Sequence, residues 1–333
     1  MASTVTAPRL LPPLTPPSPE AAMKVGILVN PKHAQTMRAY ACLVEILKRE
    51  RITYRSATTT RQWPGAEQSK QMLDWGADLI VVLGGDGTLR ASAPILAAAE
   101  VPVAIIPTGT ANVLSRHIGI RSAEHALGLV ESHLGSIPLR SCEVPVNEAH
   151  CLTADGPRCE QFLSMAGIGG DARAIAGRAG LPGFLGYAWG AARALFAPLI
   201  NVEIAGPQLE APTRVWSVMA SKTARPAGPI PVFDHAEVSA GELEFLAVAL
   251  TTTKPRQRLV DWARVGWDCV NRRPATNPSL HYWRGTELSI SLDGPAPVQL
   301  DGDLIGDCRR LDLRAGTSSL RVLAPGRRGL VLK

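Results

Sequence analysis

Residues 81–89 read Val-Val-Leu-Gly-Gly-Asp-Gly-Thr-Leu, so an apolar strand runs directly into a glycine turn. Glycine has no Cβ, and a bound group can therefore approach the backbone of such a turn closely. The helix predicted after the turn would point free N–H groups and the positive end of its dipole at an anion. Asp86 would repel a phosphate, but it can hold Mg²⁺, which then bridges to the phosphate. A second interpretation stays open, in which the turn is structural and Asp86 caps a helix.

From Met23 onward, strand-like and helix-like segments alternate along the chain. Short apolar strands between helices predict an α/β domain with a parallel sheet and helices on both faces. Pro94 is expected to bend or restart the third helix. The predicted strands are 24–29, 52–57, 79–83 and 101–106, and the predicted helices are 36–50, 66–75, 88–99 and a segment that ends near 118.

Three polar turns follow predicted strands of this domain: Asn30, Gly84–Thr88 and Thr108–Asn112. Ligands of open α/β sheets bind beyond the carboxyl ends of the strands. We therefore expect the three turns to converge on one ligand site at that edge.

After about residue 140 the chain becomes rich in strand-like runs punctuated by glycine, proline and asparagine, which predicts a mainly antiparallel second domain. The predicted strands are 161–166, 215–221, 243–250, 286–292, 298–301 and 319–323, and the predicted helices are 169–180, 186–196 and 255–270. The predicted domains are 23–140 and 141–325, with 326–333 a candidate for completing the first. Residues 1–22, which are rich in proline, serine and threonine, predict a disordered tail without the apolar core of a signal peptide.

Composition limits the classes of partner. The chain has 333 residues, 46% of them hydrophobic and 19% charged, as in a globular protein of about two domains. The net charge of +6 suits an acidic partner such as a phosphate or an anionic lipid. Long basic runs and basic-aromatic interleaving are missing from the sequence, which argues against nucleic acid as a partner.

No apolar run reaches the length of a membrane span, and 183–200 is interpreted as a core helix or a membrane-surface helix.

The cysteines predict free, mostly buried thiols, because none forms a C-x-x-C pair and no secretory signal is present. His150, Cys151 and Cys159 lie near one another, but their spacing fits no common zinc pattern, so a metal site is the less favoured interpretation. The six cysteines are Cys42, Cys142, Cys151, Cys159, Cys269 and Cys308.

Four segments in order resemble motifs of the diacylglycerol kinase catalytic-domain family, and of its soluble bacterial lipid kinases most closely. Residues 81–89 are similar to its nucleotide loop, and Ile-Ile-Pro-Thr-Gly-Thr-Ala-Asn-Val-Leu-Ser-Arg at 105–116 to its second glycine loop. Ala-Gly-Ile-Gly-Gly-Asp-Ala at 166–172 resembles the opening of its second domain, and Val-Gln-Leu-Asp-Gly-Asp at 298–303 its late acidic element. The first motif also occurs in NAD kinases and phosphofructokinases, whereas the second favours lipid kinases. The resemblance spans about 24–325.

The resemblance implies a nucleotide-binding α/β domain, a β-sandwich that carries lipid contacts, and ATP and Mg²⁺ in the cleft between them, facing Gly85 and Asp301. The implied reaction transfers the γ-phosphoryl of ATP to a lipid hydroxyl, with Asp301 as general base or acceptor-orienting group. Asp303 would assist Asp301 in catalysis and join Asp86 in holding Mg²⁺. Without the upstream motifs, 301–303 would be interpreted as a hairpin turn.

Each residue expected to contact the nucleotide offers a backbone N–H group, a hydroxyl or an amide that can donate to phosphate or ribose oxygens. Thr110 or Asn112 can instead cap the following helix, and Asn30-Pro31 can be a simple turn. The full set is Asn30, Gly84, Gly85, Asp86, Gly87, Thr88, Thr108, Gly109, Thr110 and Asn112.

Several positions depart from the family pattern, and the departures fall mainly in the expected metal shell. They are Arg90-Ala91, Val113, Pro138, Ser239-Ala240-Gly241 and Asp303. Mg²⁺ keeps several waters and binds substrate phosphates, so the loss of one carboxylate need not abolish its binding. The departures leave open a nucleotide- or lipid-binding protein without catalysis, and a third alternative is a kinase for a soluble acceptor such as NAD.

The lipid-kinase hypothesis also carries expectations about partners and location. Diacylglycerol, a sphingoid base and other long-chain alcohols are all open as acceptors. We expect a cytoplasmic protein in peripheral contact with the anionic inner membrane surface through Arg178, Arg193 and the apolar segment 181–195. Relatives suggest a homodimer.

Overall fold

The computed structural model describes residues 23–135, 137, 139–177, 190, 193–206, 212–226, 228, 230–250, 252 and 254–325. The predicted tail 1–22, the C-terminal residues 326–333 and Pro138 lie outside the described residues, as does most of 178–195.

The strands and helices are numbered in chain order. The strands are β1 Lys24–Val29, β2 Thr53–Thr58, β3 Leu79–Gly84, β4 Val103–Pro107, β5 Arg140–Pro145, β6 Asn147–Thr153, β7 Gly156–Phe162, β8 Met165–Gly169, β9 Ile200–Ala205, β10 Arg214–Val215, β11 Ser217–Ser221, β12 Leu243–Val248, β13 Leu280–Gly285, β14 Glu287–Leu300, β15 Asp303–Arg314 and β16 Ser319–Ala324. The helices are α1 Ala34–Arg49, α2 Ala66–Asp74, α3 Asp86–Ala99, α4 Val113–His117, α5 Ala123–Leu134, α6 Gly170–Ala176 and α7 Pro255–Val270, and Pro274–Thr276 forms a 3₁₀ turn.

The described chain divides into two compact units. The first unit contains residues 23–146 and 317–325, and the second contains residues 147–316. The predicted domain limits of 23–140 and 141–325 remain predictions.

The first unit is built on a mostly parallel sheet, as predicted. Its described strands follow the order β2-β1-β3-β4-β16-β5, and every pairing is parallel except that of β16 with β5. β3 is buried along its whole length, as its unbroken apolar sequence requires of a strand covered on both faces. The chain leaves the carboxyl ends of β1, β3 and β4 at one edge, and these are the ends that carry the polar turns.

Helix α3 begins at Asp86, two residues before its predicted start, and continues through Pro94 to Ala99 without restarting there. Pro94 has no N–H to donate to the preceding turn, but Leu89, Ala93 and Leu96 bury one apolar face on both sides of it, which stabilises the continuous helix.

The second unit is built on an antiparallel sheet. The described strands follow the order β13-β12-β11-β8-β14-β15-β6-β7, and β9 pairs with both β14 and β10. The core of this unit is a continuous apolar cluster that includes Phe162, Phe245, Ile290 and Leu311. The chain thus contains a mostly parallel α/β unit and an antiparallel β unit, which confirms the predicted fold class.

The described part of the chain agrees with the prediction for cysteines: all six are free, four are buried, and Cys42 and Cys159 are exposed. Every helix in the described ranges is too short or too polar to cross a lipid bilayer.

Candidate active site

The two glycine loops that follow β3 and β4 touch each other through their backbones. A Cβ built on Gly109 would lie 2.5 Å from the Cα of Gly85 and 3.2 Å from its nitrogen. Real Cβ atoms are not found so close to a backbone, so this contact requires glycine at position 109. The absence of both side chains therefore lets the two loops pack backbone against backbone at the carboxyl ends of β3 and β4.

Asn112 shapes the second loop from within. Its Oδ1 accepts a hydrogen bond from the Gly109 N–H at 3.1 Å, and its Nδ2 donates to the Gly109 carbonyl at 2.7 Å. Asn112 adopts φ 46°, a left-handed conformation that asparagine tolerates better than most residues. The amide therefore holds the loop closed, while Thr110 is exposed at its tip.

Asp86 joins the first loop to the second. Its Oδ2 accepts from the Val113 N–H at 3.1 Å, and its Oδ1 accepts from the Leu114 N–H at 3.3 Å. Burial raises the pKa of Asp86, and the two N–H groups and Arg116 oppose this shift. Asp86 therefore caps α4, the helix that follows the second loop. It does not cap α3, the helix of which it is the first residue.

The carboxylate of Asp86 also fits a magnesium ion by its donor chemistry. Each oxygen accepts one N–H group, and a carboxylate oxygen has a second lone pair for a hard cation. Its role as a metal ligand stays a prediction.

Hydrogen bonds connect all three polar turns of the first unit. Asn30 Nδ2 donates to Thr88 Oγ1 at 2.8 Å, which joins the end of β1 to the first glycine loop. Thr108 donates its N–H to the Gly84 carbonyl at 3.0 Å, and its Oγ1 accepts from Thr36 at 2.8 Å. The structure therefore brings together the predicted residues Asn30, Gly84, Gly85, Asp86, Gly87, Thr88, Thr108, Gly109, Thr110 and Asn112 around one sheet edge.

Asp301 lies in the turn between β14 and β15 of the second unit. Its Oδ1 accepts from the N–H groups of Ser164 and Met165 at 2.7 and 3.0 Å, and its Oδ2 accepts from the Leu163 N–H at 2.8 Å. Asp301 and Gly302 both have positive φ, 50° and 88°. These are the φ values of a two-residue hairpin turn, for which Asp-Gly is a preferred sequence. The distinguishing feature of Asp301 is that three backbone N–H groups of residues 163–165 fix its carboxylate.

Asp303 begins β15 and has an exposed side chain. It pairs with Leu300 across the hairpin, whereas Asp301 lies in the turn itself. The two carboxylates are therefore close in sequence but belong to different backbone environments.

A buried hydrogen-bond network holds the turn that contains Asp301. Gln299 Oε1 accepts from the Gly302 N–H at 2.9 Å, and its Nε2 donates to Asp171 Oδ2 at 3.0 Å. Asp171 Oδ1 also accepts from the Ser217 hydroxyl, and burial raises the pKa of Asp171. A Cβ at Gly167 would overlap the Asp171 carboxylate.

The sequence alone indicates no role for Asp171, Gln299 or Ser217. The signal was present, because the motif at 166–172 contains both Gly167 and Asp171. The contact of Gln299 with Asp171, however, needs the pairing of β8 with β14, which joins residues about 130 positions apart and cannot be read from a single sequence.

The turn Ser239-Ala240-Gly241, one of the departures from the family pattern, is bound by a buried lysine. Lys222 Nζ donates to the carbonyls of Ala240 and Glu242, the latter at 3.0 Å. Burial lowers the pKa of Lys222 to about 8. The ammonium group of Lys222 therefore contacts the turn at 239–241, and none of these three turn residues carries a carboxylate.

Comparisons with known proteins agree with the resemblance seen in the motifs. Residues 24–139 match the family model described as the diacylglycerol kinase catalytic domain. An uncharacterized protein of Synechocystis is 24% identical over 265 residues, which is 75% of this chain, and the chain spans 55% of that relative.

Solved structures share the fold. A diacylglycerol kinase from Bacillus anthracis superposes with a TM-score of 0.63 at 20% identity, covering 92% of this chain and 98% of that chain. Yeast NADH kinase, solved as a complex with NADH, superposes with a TM-score of 0.58 at 12% identity, covering 94% of this chain and 86% of that chain. The predicted resemblance is confirmed: residues 24–139 are similar to the diacylglycerol kinase catalytic domain, and the chain shares its fold with these solved kinases.

Proposed function

We propose that this protein is an ATP-dependent lipid kinase that transfers the γ-phosphoryl group of ATP to the hydroxyl of a diacylglycerol-like lipid. The observation that carries the proposal is the backbone contact between Gly85 and Gly109, within the region that matches the kinase family. It holds two glycine loops and the N-terminus of the 14-residue helix α3 together at one sheet edge, an arrangement suited to phosphate groups.

The acceptor half of the reaction is assigned to Asp301. Its carboxylate would accept a hydrogen bond from the lipid hydroxyl and take its proton as the oxygen attacks the γ-phosphorus. The new O–P bond forms as the bond between the γ-phosphorus and the bridging oxygen breaks, and ADP leaves. The three N–H groups that hold Asp301 fix its position, because phosphoryl transfer depends mainly on positioning and charge stabilisation.

Asp86 and Asp303 are the residues proposed to hold Mg²⁺. When bound, the ion would offset negative charge on the phosphate oxygens.

The test is a transfer assay with labelled ATP, Mg²⁺ and lipid alcohols in mixed micelles, with the phosphorylated product identified by mass spectrometry. We expect Asp301→Asn to lower transfer by about 10²–10⁴-fold, the range typical for loss of a general base. Asp307→Asn, which changes an exposed carboxylate of β15, is the matched control and is expected to retain activity. Saturable ATP binding without transfer to any lipid would instead identify a binding protein without catalysis.

A soluble acceptor is the second candidate, favoured by the structural similarity to a kinase that was solved with NADH. Running the same assay with NAD and NADH as acceptors separates the two. Transfer to a dinucleotide in the absence of transfer to lipid would overturn the lipid-kinase proposal.

A surface suited to a membrane supports the choice of a lipid acceptor. One side of α7 is exposed and apolar: Trp267 is 70% exposed, Val270 60% and Val260 58%. These residues follow helical spacing, so they form one stripe, and Leu259 extends it. The opposite side of the helix buries Arg258, Val265 and Cys269 against the second unit. The sequence predicts this helix, whereas the predicted membrane contact is made by Arg178, Arg193 and the segment 181–195, most of which lies outside the described residues.

We propose that this stripe, the α7 face, docks on an anionic lipid surface. Exposed basic residues border it, and at the water–lipid boundary they would meet lipid phosphates: Lys254, Arg256, Arg264, Arg272 and Arg273. A second copy of the chain would bring the same positive charges together, which disfavours it as the occupant. An exposed tryptophan beside basic residues is typical of helices that lie in a membrane interface.

The docking test uses vesicles of phosphatidylglycerol and of phosphatidylcholine in sedimentation assays. We expect binding to the anionic vesicles, weakened about tenfold or more in Trp267→Ala, since burying a large apolar side chain contributes roughly 1.5–3 kcal/mol. Trp63→Ala is the control, because Trp63 is an exposed tryptophan of the first unit. Equal binding by both variants would refute docking through α7, whereas unchanged activity of Trp267→Ala on a short-chain, water-soluble acceptor would leave the kinase assignment intact.

A further inference from the structure

Three side chains with metal-binding atoms meet on the outer face of the β6–β7 hairpin. Glu148 and His150 are two residues apart on β6, so they point to the same side of the sheet. Cys159 is the cross-strand partner of His150 on β7. One ligand atom from each of these residues lies within 4.8 Å of the other two.

The distances within this cluster are close to those of a tetrahedral metal site. His150 Nε2 lies 3.1 Å from Glu148 Oε2 and 3.9 Å from Cys159 Sγ. Zinc bonds of about 2.0–2.3 Å place neighbouring donor atoms of a tetrahedral site roughly 3.3–3.6 Å apart. Small rotations of three partly exposed side chains would therefore bring all three donors onto one ion.

The cluster does not have the arrangement of a nucleophilic triad. In a triad the nucleophile and the carboxylate contact different nitrogens of the histidine, so that the imidazole takes the proton of the nucleophile while the carboxylate orients the ring. Here the thiol of Cys159 and the carboxylate of Glu148 both approach Nε2 of His150. Three donors that converge on one point suit a shared cation.

The surroundings leave room for an ion and do not repel it. A surface cavity of about 270 Å³ is lined by His150 and Cys159 and also by Arg158, Arg310 and Asp312. Both arginines already have carboxylate partners: Arg158 pairs with Asp155 at 3.2 Å, and Arg310 pairs with Asp312 at 3.0 Å. Water can therefore reach the cluster and supply a fourth ligand.

We propose that Glu148, His150 and Cys159 bind a divalent transition-metal ion, with zinc favoured by the mixed oxygen, nitrogen and sulfur donors. On binding, the Cys159 thiol loses its proton to solvent and its sulfur forms the bond to the metal. β7 is the last strand of its sheet in the described chain, and the ion would link it to β6. This inference is independent of the proposed kinase activity.

The primary experiment titrates metal-free full-length protein with Zn²⁺ by calorimetry. We expect one ion per chain in the wild type and a loss of affinity of about tenfold or more in His150→Ala and in Cys159→Ser. Cys42→Ser is the matched control, because Cys42 is the other exposed cysteine among the described residues and lies in the first unit. Equal zinc affinity in Cys159→Ser and the wild type would overturn the proposal, as would an absence of zinc binding by the wild type.

A second measurement identifies the thiolate ligand directly. Co²⁺ bound at the same site should give a sulfur-to-cobalt charge-transfer absorption band that Cys159→Ser lacks and Cys42→Ser retains. A cobalt spectrum without this band would exclude Cys159 as a ligand. Thermal unfolding adds a further check, since zinc should raise the melting temperature of the wild type but not that of Cys159→Ser.

Discussion

At the scale of single residues, the contact between Gly85 and Gly109 leaves no space for a side chain. A methyl group at position 109 would meet the backbone of Gly85 and, at 2.9 Å, Asn112 Oδ1. The backbone of a neighbouring loop cannot rotate away as a flexible side chain can, so the two loops must separate.

We therefore expect Gly109→Ala to weaken ATP binding about tenfold or more and to lower stability by about 1–3 kcal/mol, the usual cost of overpacking. Equilibrium binding of a fluorescent ATP analogue and thermal unfolding measure the two effects. Gly128→Ala is the control, because a Cβ at Gly128 on α5 meets nothing within 4 Å and should be neutral or stabilising. Wild-type affinity in Gly109→Ala would show that the loop contact does not matter for the nucleotide.

Lys222 gives a prediction about pH. Its pKa in the folded protein is about 8, against an ordinary value of 10.5, because burial disfavours the ammonium form. Between these two values the unfolded chain binds more protons than the folded chain, so the free energy of unfolding should rise with pH. This contribution is complete above about pH 10.5 and is lost as the pH falls through about 8.

Denaturant unfolding of the wild type and of Lys222→Met across this pH range isolates the effect, since the other titrating groups are common to both proteins. We expect the difference in stability between them to increase with pH. We also expect Lys222→Met to be less stable by about 1–3 kcal/mol at high pH, because the carbonyls of Ala240 and Glu242 lose their donor. Parallel pH profiles would contradict the assigned pKa of Lys222.

At the scale of elements, Gln299 connects α6 to the turn that holds Asp301. Gln299→Leu would leave the Asp171 carboxylate and the Gly302 N–H without this partner. We expect kcat for phosphoryl transfer to fall about tenfold, with the KM for ATP unchanged, because the variant loosens the acceptor turn and leaves the nucleotide loops intact. Steady-state kinetics with ATP varied at saturating lipid provides the measurement. A rise in the KM for ATP with unchanged kcat would assign Gln299 to a different role.

Elements with strong periodicity could be predicted from the sequence, and those that depend on tertiary pairing could not. The bounds of β1 and α7 agree with their predictions because apolar spacing and an early proline define them locally. The predicted strands 286–292 and 298–301 are parts of a single strand, β14, whose pairing with β15 shifts register between Ser291 and Ala296. The Asp-Gly-Pro sequence at 293–295 suggests a loop, and only the partner strand shows that the chain stays extended there.

Helix α5 was missed although its signals are present. Ser122 accepts a hydrogen bond from the His125 N–H at 3.1 Å, and Ala126, Leu127 and Val130 bury one face. A serine cap followed by apolar residues at helical spacing is a recognisable start signal. The cap of α4 could not be predicted in this way. Asp86 accepts from Val113 and Leu114, which follow a different turn, so no local sequence pattern marks this contact.

At the scale of the whole molecule, the sequence predicted two types of architecture but could not assign every strand to its sheet. Residues 319–323 were predicted as a strand within the second domain, and the structure pairs β16 with β4 and β5 in the sheet of the first unit. The pairing with β4 joins residues more than 200 positions apart. The sequence pattern of a strand indicates which of its faces is buried, but it does not indicate which strand lies next to it.

In the proposed kinase, the first unit binds the nucleotide and the second unit carries the acceptor step, and kinetics can test this assignment. Asn30 Nδ2 donates to Thr88 in the first glycine loop of the first unit, and Asp301 lies in the second unit. We expect Asn30→Ala to weaken ATP affinity by about 2–10-fold, because one hydrogen bond contributes a net 0.5–1.5 kcal/mol, and to change kcat little. Asp301→Asn should lower kcat while the dissociation constant of ATP stays at its wild-type value.

The double variant makes this prediction stricter. If Asn30 acts through the nucleotide and Asp301 through the acceptor, their effects on kcat/KM should multiply, since independent contributions to the free energy add. ATP affinity by calorimetry and kcat by the lipid transfer assay would be measured on the wild type, both single variants and the double variant, with Asp307→Asn as the control. A large loss of ATP affinity in Asp301→Asn would place that carboxylate in nucleotide binding and remove it from the acceptor step.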